Sequence, residues 1–260
     1  MFENMKLRTL EGKKGLVLGV ANDKSIAYGC ARAFRLYGAD LALTYLNDKA
    51  KPYVAPLAKE LGAAIFEPLD VQAEGQMEAL FKKIREKWGR LDFALHSIAF
   101  APKADLNGRV VDCSRGGFHT AMDVSCYSFI EMARLAEPLM KSGGTLFTMS
   151  YFGAEKVVAN YNIMGPVKAA LEATVRYLAA ELGPKGIRVH AISPGPVATR
   201  AASGIAHFDA LLNRAATKAP ARRLVTIEEV GVACAGLATD GAKLITGDRL
   251  YIDGGYHLIG

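Results

Sequence analysis

Two tyrosines and a lysine lie close together in the middle of the chain and could carry out chemistry. Tyr151 and Tyr161 are followed by Lys168, seven residues after the second tyrosine. In a helix this spacing is about two turns, or about 10 Å along the axis, and it predicts that Tyr161 and Lys168 project from one face. A phenol can donate to a developing oxyanion, and an ammonium group can hold hydroxyls. For an isolated pair of this kind, a packed tyrosine and a solvated lysine are the commoner explanation.

The segments around these residues alternate between strand and helix patterns. Strands are predicted at 15–20, 40–45, 63–70, 91–99, 143–150, 187–193 and 249–253, and helices at 25–38, 50–61, 75–89, twice within 114–140 and at 161–182. Apolar strands joined by helices indicate a parallel sheet covered on both faces, which is a doubly wound, Rossmann-like α/β fold of about seven strands. We expect one domain over residues 1–260, with a substrate lid at about 194–225 because long irregular stretches are usually functional. After a strand of a nucleotide-binding fold, the tyrosine and lysine favour catalysis over packing.

The loop after the first predicted strand could hold a pyrophosphate group. Gly19 can make a tight turn, and Ser25 can cap the helix that follows at Ile26. Gly29 would let this helix sit close to the sheet. The free N–H groups and positive dipole end of a helix N-terminus suit a phosphate. The G-x-G-x-x-G fingerprint is missing, so an ordinary strand-to-helix connection is the alternative.

The ends of the next two strands are where an adenosine would be recognised. Asp70, followed by Val71, could accept from an adenine amino group or could cap a helix. Leu46 follows the second strand, where a carboxylate would favour NAD and an arginine would favour NADP. Leu46 is neither, and with Asp48 and Lys49 nearby the segment favours NADH over NADPH.

Composition limits the function classes. The 260 residues are 51% hydrophobic and 22% charged, which excludes a disordered, collagen-like or coiled-coil protein. The net charge of +6 is dispersed, so it fits an anionic cofactor or an acidic partner protein better than nucleic acid or a membrane surface. The four cysteines and five histidines share no metal-ligand spacing, and no metal is expected. The first residues lack the pattern of a secretory signal, and no apolar run reaches the ~20 residues of a membrane span, so we expect a cytoplasmic protein.

Several motifs resemble those of one enzyme family. They are the G-x5-S-I-A turn, HSIAFAP at 96–102, SYFGAEK at 150–156, NYNIMG at 160–165 with the Y-x6-K spacing, and AASGI at 201–205. In this order and spacing they resemble bacterial NADH-dependent enoyl-acyl-carrier-protein reductases, a branch of the short-chain dehydrogenase/reductase superfamily. The resemblance runs from about Leu10 to Gly255. The wider superfamily uses Y-x3-K, and here Met164 occupies that tyrosine's place.

The resemblance implies a set of site residues. The implied catalytic residues are Tyr161, the second active-site tyrosine Tyr151, and Lys168, which also contacts the nicotinamide ribose. The implied cofactor contacts are Gly19, Ser25, Ile26, Leu46, Asp70, Val71, Ile98, Val197, Ala198, Thr199, Arg200 and Ala201. Ala101 is the implied substrate contact. In a ketone the oxygen that becomes negative is bonded to the carbon that receives hydride. In an enoyl thioester it lies two bonds further away, so a proton donor further from the nicotinamide suits this substrate.

Some residues depart from the family pattern. The chain has Pro194 where the family motif S-A-G-P has alanine, and Arg200 at a position that is usually apolar. Pro166 lies in the predicted catalytic helix, where it would remove a backbone donor and favour a kink. These changes leave the tyrosines and Lys168 in place.

Two other function classes remain open. A carbonyl reductase or alcohol dehydrogenase of the same superfamily would want a tyrosine at Met164. A non-catalytic nucleotide-sensing protein would have no reason to keep both tyrosines and Lys168.

The sequence also suggests partners. Basic residues in and after the lid could form a docking patch for an acidic acyl carrier protein, or simply a solvated surface. They are Arg200, Arg214, Lys218, Arg222 and Arg223. The resemblance implies a homotetramer assembled through two long helices. Apolar residues that could form this seam, or could equally be buried in the monomer, are Phe129, Met132, Leu135, Leu139, Leu171, Val175 and Leu178.

Overall fold

A seven-stranded parallel sheet forms the centre of the molecule. The computed structural model describes residues 9–197, 199 and 208–259. The strands are β1 (Lys14–Leu18), β2 (Asp40–Tyr45), β3 (Ile65–Pro68), β4 (Phe93–His96), β5 (Gly144–Met149), β6 (Ile187–Pro194) and β7 (Arg249–Ile252). Their order is β3-β2-β1-β4-β5-β6-β7, and every neighbouring pair is parallel. The predicted doubly wound architecture and its seven strands are confirmed.

Helices cover both faces of the sheet. They are α1 (Ile26–Leu36), α2 (Lys51–Glu60), α3 (Gln76–Trp88), α4 (Lys103–Leu106), α5 (Arg115–Met122), α6 (Ser128–Ala136), α7 (Met164–Leu182), α8 (Phe208–Lys218) and α9 (Ile227–Ala238). A π-turn, Asp123–Tyr127, joins α5 to α6. Neither α8 nor α9 is among the predicted helices. Helix α8 lies in the stretch that was expected to be irregular, and nearly every face of α9 carries small or apolar residues, which leaves no helical periodicity. Within the described residues, no helix is long and apolar enough to cross a membrane.

The two faces of the sheet bury separate apolar clusters. Helices α3, α6 and α7 cover one face, where Leu80, Phe129 and Leu171 are fully buried. Helices α1, α2 and α9 cover the other, around Phe34 and Val230. All seven residues considered as a subunit seam belong to the first cluster or pack against it. Five of them are buried in the monomer core and are not available to a partner subunit, while Leu135 and Leu178 are only partly buried.

Two glycines allow α1 and α9 to pack backbone to backbone. A Cβ at Gly29 would overlap the carbonyl group of Ile227, and one at Gly231 would overlap the carbonyl of Gly29. The prediction that Gly29 allows close approach is confirmed, but the partner is α9 and not the sheet. This contact holds α1, and with it the loop after β1, against the fold.

Replacing Gly231 by Ala should destabilise the protein by about 1–3 kcal/mol, since the added methyl group forces two packed helices apart. Gly236→Ala on the same helix is the matched control, because a Cβ there meets nothing within 4 Å and alanine favours a helix. Urea unfolding of both variants tests the prediction. Equal stability of the two variants would contradict it.

Candidate active site

The predicted site residues lie at one edge of the sheet. Gly19 follows β1, Leu46 follows β2, Ile98 follows β4 and Tyr151 follows β5, while Val197 comes three residues after β6. The carboxyl ends of parallel strands share one edge, and the strand order reverses between β1 and β4. In sheets of this kind the ligand crevice lies at such a reversal. The topology therefore gathers residues that are far apart in sequence.

The loop after β1 fits a phosphate group. Gly19 has φ of 93°, and a Cβ there would overlap the carbonyl of Ser97 after β4, so this turn needs glycine. Ser25 occupies the N-cap position of α1, but its hydroxyl donates to the carbonyl of Asn22 (2.7 Å) and caps no N–H group of the helix. The prediction that Ser25 caps the helix is therefore wrong. Because the Ser25 side chain does not cap them, the first-turn N–H groups of α1 remain available to bind an anion.

The structure rules out one of the two roles considered for Asp70. Asp70 does not cap a helix, since α3 begins after Gly75. Its carboxylate accepts from the N–H of Gln72 (3.0 Å) within the loop. Leu46 follows the neighbouring strand β2 and is 54% exposed. Val71 is partly buried and packs against the core. The adenine and ribose roles of these residues stay predictions.

Tyr151 and Tyr161 pack against each other at the end of β5. Their ring centroids are 4.9 Å apart and the rings meet edge to face. Gly153 makes this possible, because a Cβ there would overlap the Tyr161 ring. Ala101, the predicted substrate contact, is buried in the same small cluster as Tyr161, and Tyr151 packs against that cluster. The structure thus brings together the two tyrosines and the predicted substrate contact.

Tyr161 does not share a helix face with Lys168, which corrects the prediction from their spacing. Helix α7 begins at Met164, and Tyr161 lies in the preceding turn between Asn160 (φ 64°) and Asn162 (φ 45°). The side chain of Asn162 donates to the carbonyl of Leu106 (2.7 Å), which holds this turn. A turn with two left-handed residues, and not helical periodicity, therefore presents Tyr161.

Pro166 does not kink the catalytic helix. It is the third residue of α7, in the first turn, where a backbone N–H has no acceptor inside the helix. The predicted loss of a donor is therefore wrong. The fixed φ of proline suits the start of a helix.

Lys168 is a buried cation on α7, next to the end of β5. Its Nζ donates to the carbonyl of Met149 at the end of β5 (2.7 Å). Burial lowers the pKa of Lys168 to about 8, while Cys126 and Glu172 act in the opposite direction. The ammonium form is thus kept at neutral pH but is close to losing its proton. Glu172, one helical turn after Lys168, was not predicted, although the i, i+4 spacing of opposite charges was the available signal.

His96 is a buried neutral residue at the end of β4. The hydroxyl of Ser128 donates to the carbonyl of Val124 (2.7 Å), so it must accept from His96 Nε2, and Nδ1 then accepts from Thr148. Burial, helped by the charge of Lys168, lowers the pKa of His96 to about 3. His96 is therefore a hydrogen-bonded part of the core between β4, β5 and α6.

The π-turn between α5 and α6 ties the loop after β4 to the fold. Ser125 in this turn accepts from the N–H of Phe100 (3.0 Å) and donates to the carbonyl of the same residue (3.1 Å). This pair of bonds holds the loop that carries Ala101. A π-turn inside a helix often marks a functional site, and nothing in the helical pattern of 114–140 showed it.

Part of the predicted cofactor loop lies outside the described residues. These are Ala198, Arg200 and Ala201, whose predicted roles stay predictions. Val197 and Thr199 are half-buried. The described part of the chain holds no cluster of His, Cys, Asp or Glu that could bind a metal ion.

Comparisons with known proteins all match the chain to one family. The family model described as enoyl-(acyl carrier protein) reductase matches residues 19–257. The enoyl-[acyl-carrier-protein] reductase [NADH] 1 of Rhizobium meliloti is 48% identical over 251 residues, which is 96% of this chain and 92% of that protein. The Rickettsia typhi NADH enzyme is 46% identical and covers 98% of both chains.

Two solved structures are also similar. The reductase of Anaplasma phagocytophilum in complex with NAD has a TM-score of 0.93 at 50% identity, covering 98% of this chain and 96% of that one. The Bacillus cereus reductase with NADP+ and an indole naphthyridinone has a TM-score of 0.95 at 42% identity, covering 97% and 99%. With its paired tyrosines, its buried lysine and matches over nearly its whole length, this chain belongs to the enoyl-(acyl carrier protein) reductase family.

Proposed function

We propose that this protein reduces the double bond of a trans-2-enoyl thioester carried on acyl carrier protein, using NADH, in type II fatty-acid biosynthesis. The observation that carries the proposal is the edge-to-face pair of Tyr151 and Tyr161 after β5, together with the buried Lys168 bonded to the end of the same strand. A carbonyl reductase of the same superfamily would need a tyrosine where this chain has Met164. The named relatives are NADH-dependent enoyl reductases.

The residues fit a dinucleotide. The glycine turn at Gly19 and the uncapped start of α1 suit its pyrophosphate. None of residues 46–50 after β2 is an arginine that would favour a 2′-phosphate. This supports NADH, the cofactor named for the relatives above. When bound, NADH supplies the hydride that is delivered to the β-carbon of the substrate.

The protein side chains stabilise the charge that then develops on the thioester oxygen. Burial raises the pKa of both Tyr151 and Tyr161 above the usual tyrosine value, so both phenols keep their protons. Tyr161 donates to the oxyanion, and Tyr151 packs against its ring. Lys168 keeps the potential positive and would hold the nicotinamide ribose of bound NADH. Ala101 and its apolar neighbours keep water from the acyl chain.

The direct test is to measure NADH oxidation with crotonyl and dodecenoyl thioesters beside a ketoacyl thioester. The proposal expects turnover with the enoyl substrates alone. Turnover with only the ketoacyl thioester would favour a carbonyl reductase. Nucleotide binding without turnover of any of them would favour a nucleotide-sensing protein.

The partner that presents the substrate is an acidic acyl carrier protein docking on basic residues near α8. Arg214 and Arg222 are exposed there. Arg223 contributes less than expected to such a patch, because it forms a close ion pair with Glu229 (2.5 Å) at the start of α9. Arg200, which was predicted to belong to this patch, lies outside the described residues.

Charge reversal at Arg214 and Arg222 together should raise KM for carrier-bound substrate by about tenfold, because electrostatic steering of the carrier is lost. KM for the same acyl group on coenzyme A should change little. Lys82→Glu, an exposed reversal on α3, is the control. An equal rise in KM for both substrates would contradict docking at this patch.

We also propose a cytoplasmic homotetramer. Most of the predicted seam is buried in the monomer, but Ile130 on α6 and Tyr177 on α7 are exposed, the latter by 73%. These outer positions on the same two helices support assembly through them. Light scattering of the protein and of Tyr177→Arg tests this, and a monomeric mass for the unmodified protein would rule it out.

A further inference from the structure

A chain of hydrogen-bonded polar groups, which runs from buried Ser150 and Glu172 to exposed Glu155, lies next to Tyr151 and has no part in the mechanism above. We call Ser150, Glu155, Glu172, Arg249 and Tyr251 the Glu172 network. Ser150 directly precedes Tyr151, and its hydroxyl donates to Glu172 Oε1 (2.6 Å). Glu172 Oε2 accepts from Arg249 Nη1 (2.7 Å). Ser150 and Glu172 are both buried, and they join the end of β5 to α7.

The other branch of the network holds Glu155, four residues after Tyr151 in the chain. Arg249 Nη2 donates to Glu155 Oε2 (2.6 Å), and the same oxygen accepts from the hydroxyl of Tyr251 (2.6 Å). The guanidinium also lies over the Tyr251 ring, 4.7 Å from its centroid. One guanidinium from β7 therefore joins Glu155 to Glu172. The segment 150–155 is tied to the fold at both of its ends.

Among the described residues, packing and no side-chain hydrogen bond holds the side chain of Tyr151. Its hydroxyl is buried and has no hydrogen-bond partner among the described residues. Its ring is held by packing on Tyr161, with Gly153 giving no side chain to support the segment. The two tethers at Ser150 and Glu155 hold the chain on either side of Tyr151.

Burial of the Glu172 carboxylate has a cost in folding free energy. The buried group loses its hydration and needs well-aligned partners to offset the loss, and replacing such a pair by apolar residues often leaves the protein equally stable. Arg249 supplies a planar fork that can serve two carboxylates at once, which a lysine cannot do in the same geometry. Such an arrangement gives a defined position more than it gives stability.

We propose that Glu172 and Arg249 are positioning residues that hold Tyr151 in its catalytic place by tethering Ser150 and Glu155. This rests on the proposed enoyl reduction. Glu172 also faces Lys168, so its replacement would change two things at once. The test is therefore made at the Arg249 end of the network.

Glu155→Ala and Arg249→Lys should each lower kcat for an enoyl thioester by about tenfold, since a small displacement of a side chain in an active site can cost at least this much in rate, with KM for NADH unchanged. Glu155→Gln, which keeps an acceptor oxygen for Arg249, should restore most of the rate. In a Tyr151→Ala background the same substitutions should have no further effect. Glu137→Gln is the control, because it weakens the Glu137–Lys185 ion pair at the opposite edge of the sheet.

A second measurement does not depend on activity. With fluorotyrosine incorporated at position 151, fluorine NMR should give one sharp resonance in the unmodified protein and in Glu137→Gln. Glu155→Ala and Arg249→Lys should shift or split it. An unchanged resonance in these two variants, or an equal loss of rate with and without Tyr151, would overturn the proposal. If no enoyl thioester is reduced at all, the proposed function fails while the fluorine result still decides the tethering.

Discussion

Replacing Tyr161 by Phe will slow the reduction of an enoyl thioester by about 10²–10³-fold, the usual effect of removing one donor to an oxyanion. The phenol is buried, and burial raises its pKa, so it is a protonated donor across the working pH range. Phenylalanine keeps the ring that packs on Tyr151 and leaves the fold unchanged. The loss should therefore appear in kcat more than in the KM for NADH.

Tyr53→Phe is the matched control for this prediction. It removes the same hydroxyl from an exposed tyrosine on α2 and should leave turnover unchanged. Circular dichroism of both variants checks that the fold is retained. Full turnover by Tyr161→Phe would rule out Tyr161 as the donor.

Activity will fall as the pH rises through about 8, because Lys168 then loses its proton. Burial disfavours the charged form of an amine and lowers its pKa, so the ammonium group is present below pH 8 and absent above it. The two phenols do not explain a change in this range, since burial moves their pKa values upward. The pH profile of kcat/KM measures this limb.

Substitution of Lys168 separates this explanation from others. Lys168→Met should lower the rate by about 10²-fold at neutral pH, since it removes the positive charge beside the site. Lys168→Arg stays charged at any working pH, so whatever activity it keeps should have no alkaline limb near pH 8. A limb of unchanged position in Lys168→Arg would assign it to another group.

The order of strands and helices could be predicted from local patterns. An apolar run between turn residues favours a strand wherever it lies, and apolar residues at helical spacing favour a helix. Helix α9 was missed because nearly all of its faces are apolar or small, which leaves no periodicity to detect. The start of α7 was placed too early because Tyr161 in the preceding turn lies three residues before Met164, which is a spacing typical of a helix.

Residue types and their spacing also determined the candidate chemistry. Tyr151, Tyr161 and Lys168 could be chosen as candidates because a phenol and an amine suit an oxyanion and hydroxyls, and the motifs around them resemble one family. The helical argument that joined Tyr161 to Lys168 was wrong, however. A turn outside α7 presents the tyrosine.

Tertiary structure alone decided which distant residues meet. Gly29 contacts α9 and not the sheet, and Arg249 reaches Glu155 and Glu172 across 94 and 77 positions of the chain. It also decided that the apolar faces of α6 and α7 are used inside the monomer. Local patterns carry no information on such contacts, because they depend on the order of strands in the sheet and on how closely the backbones of packed helices approach.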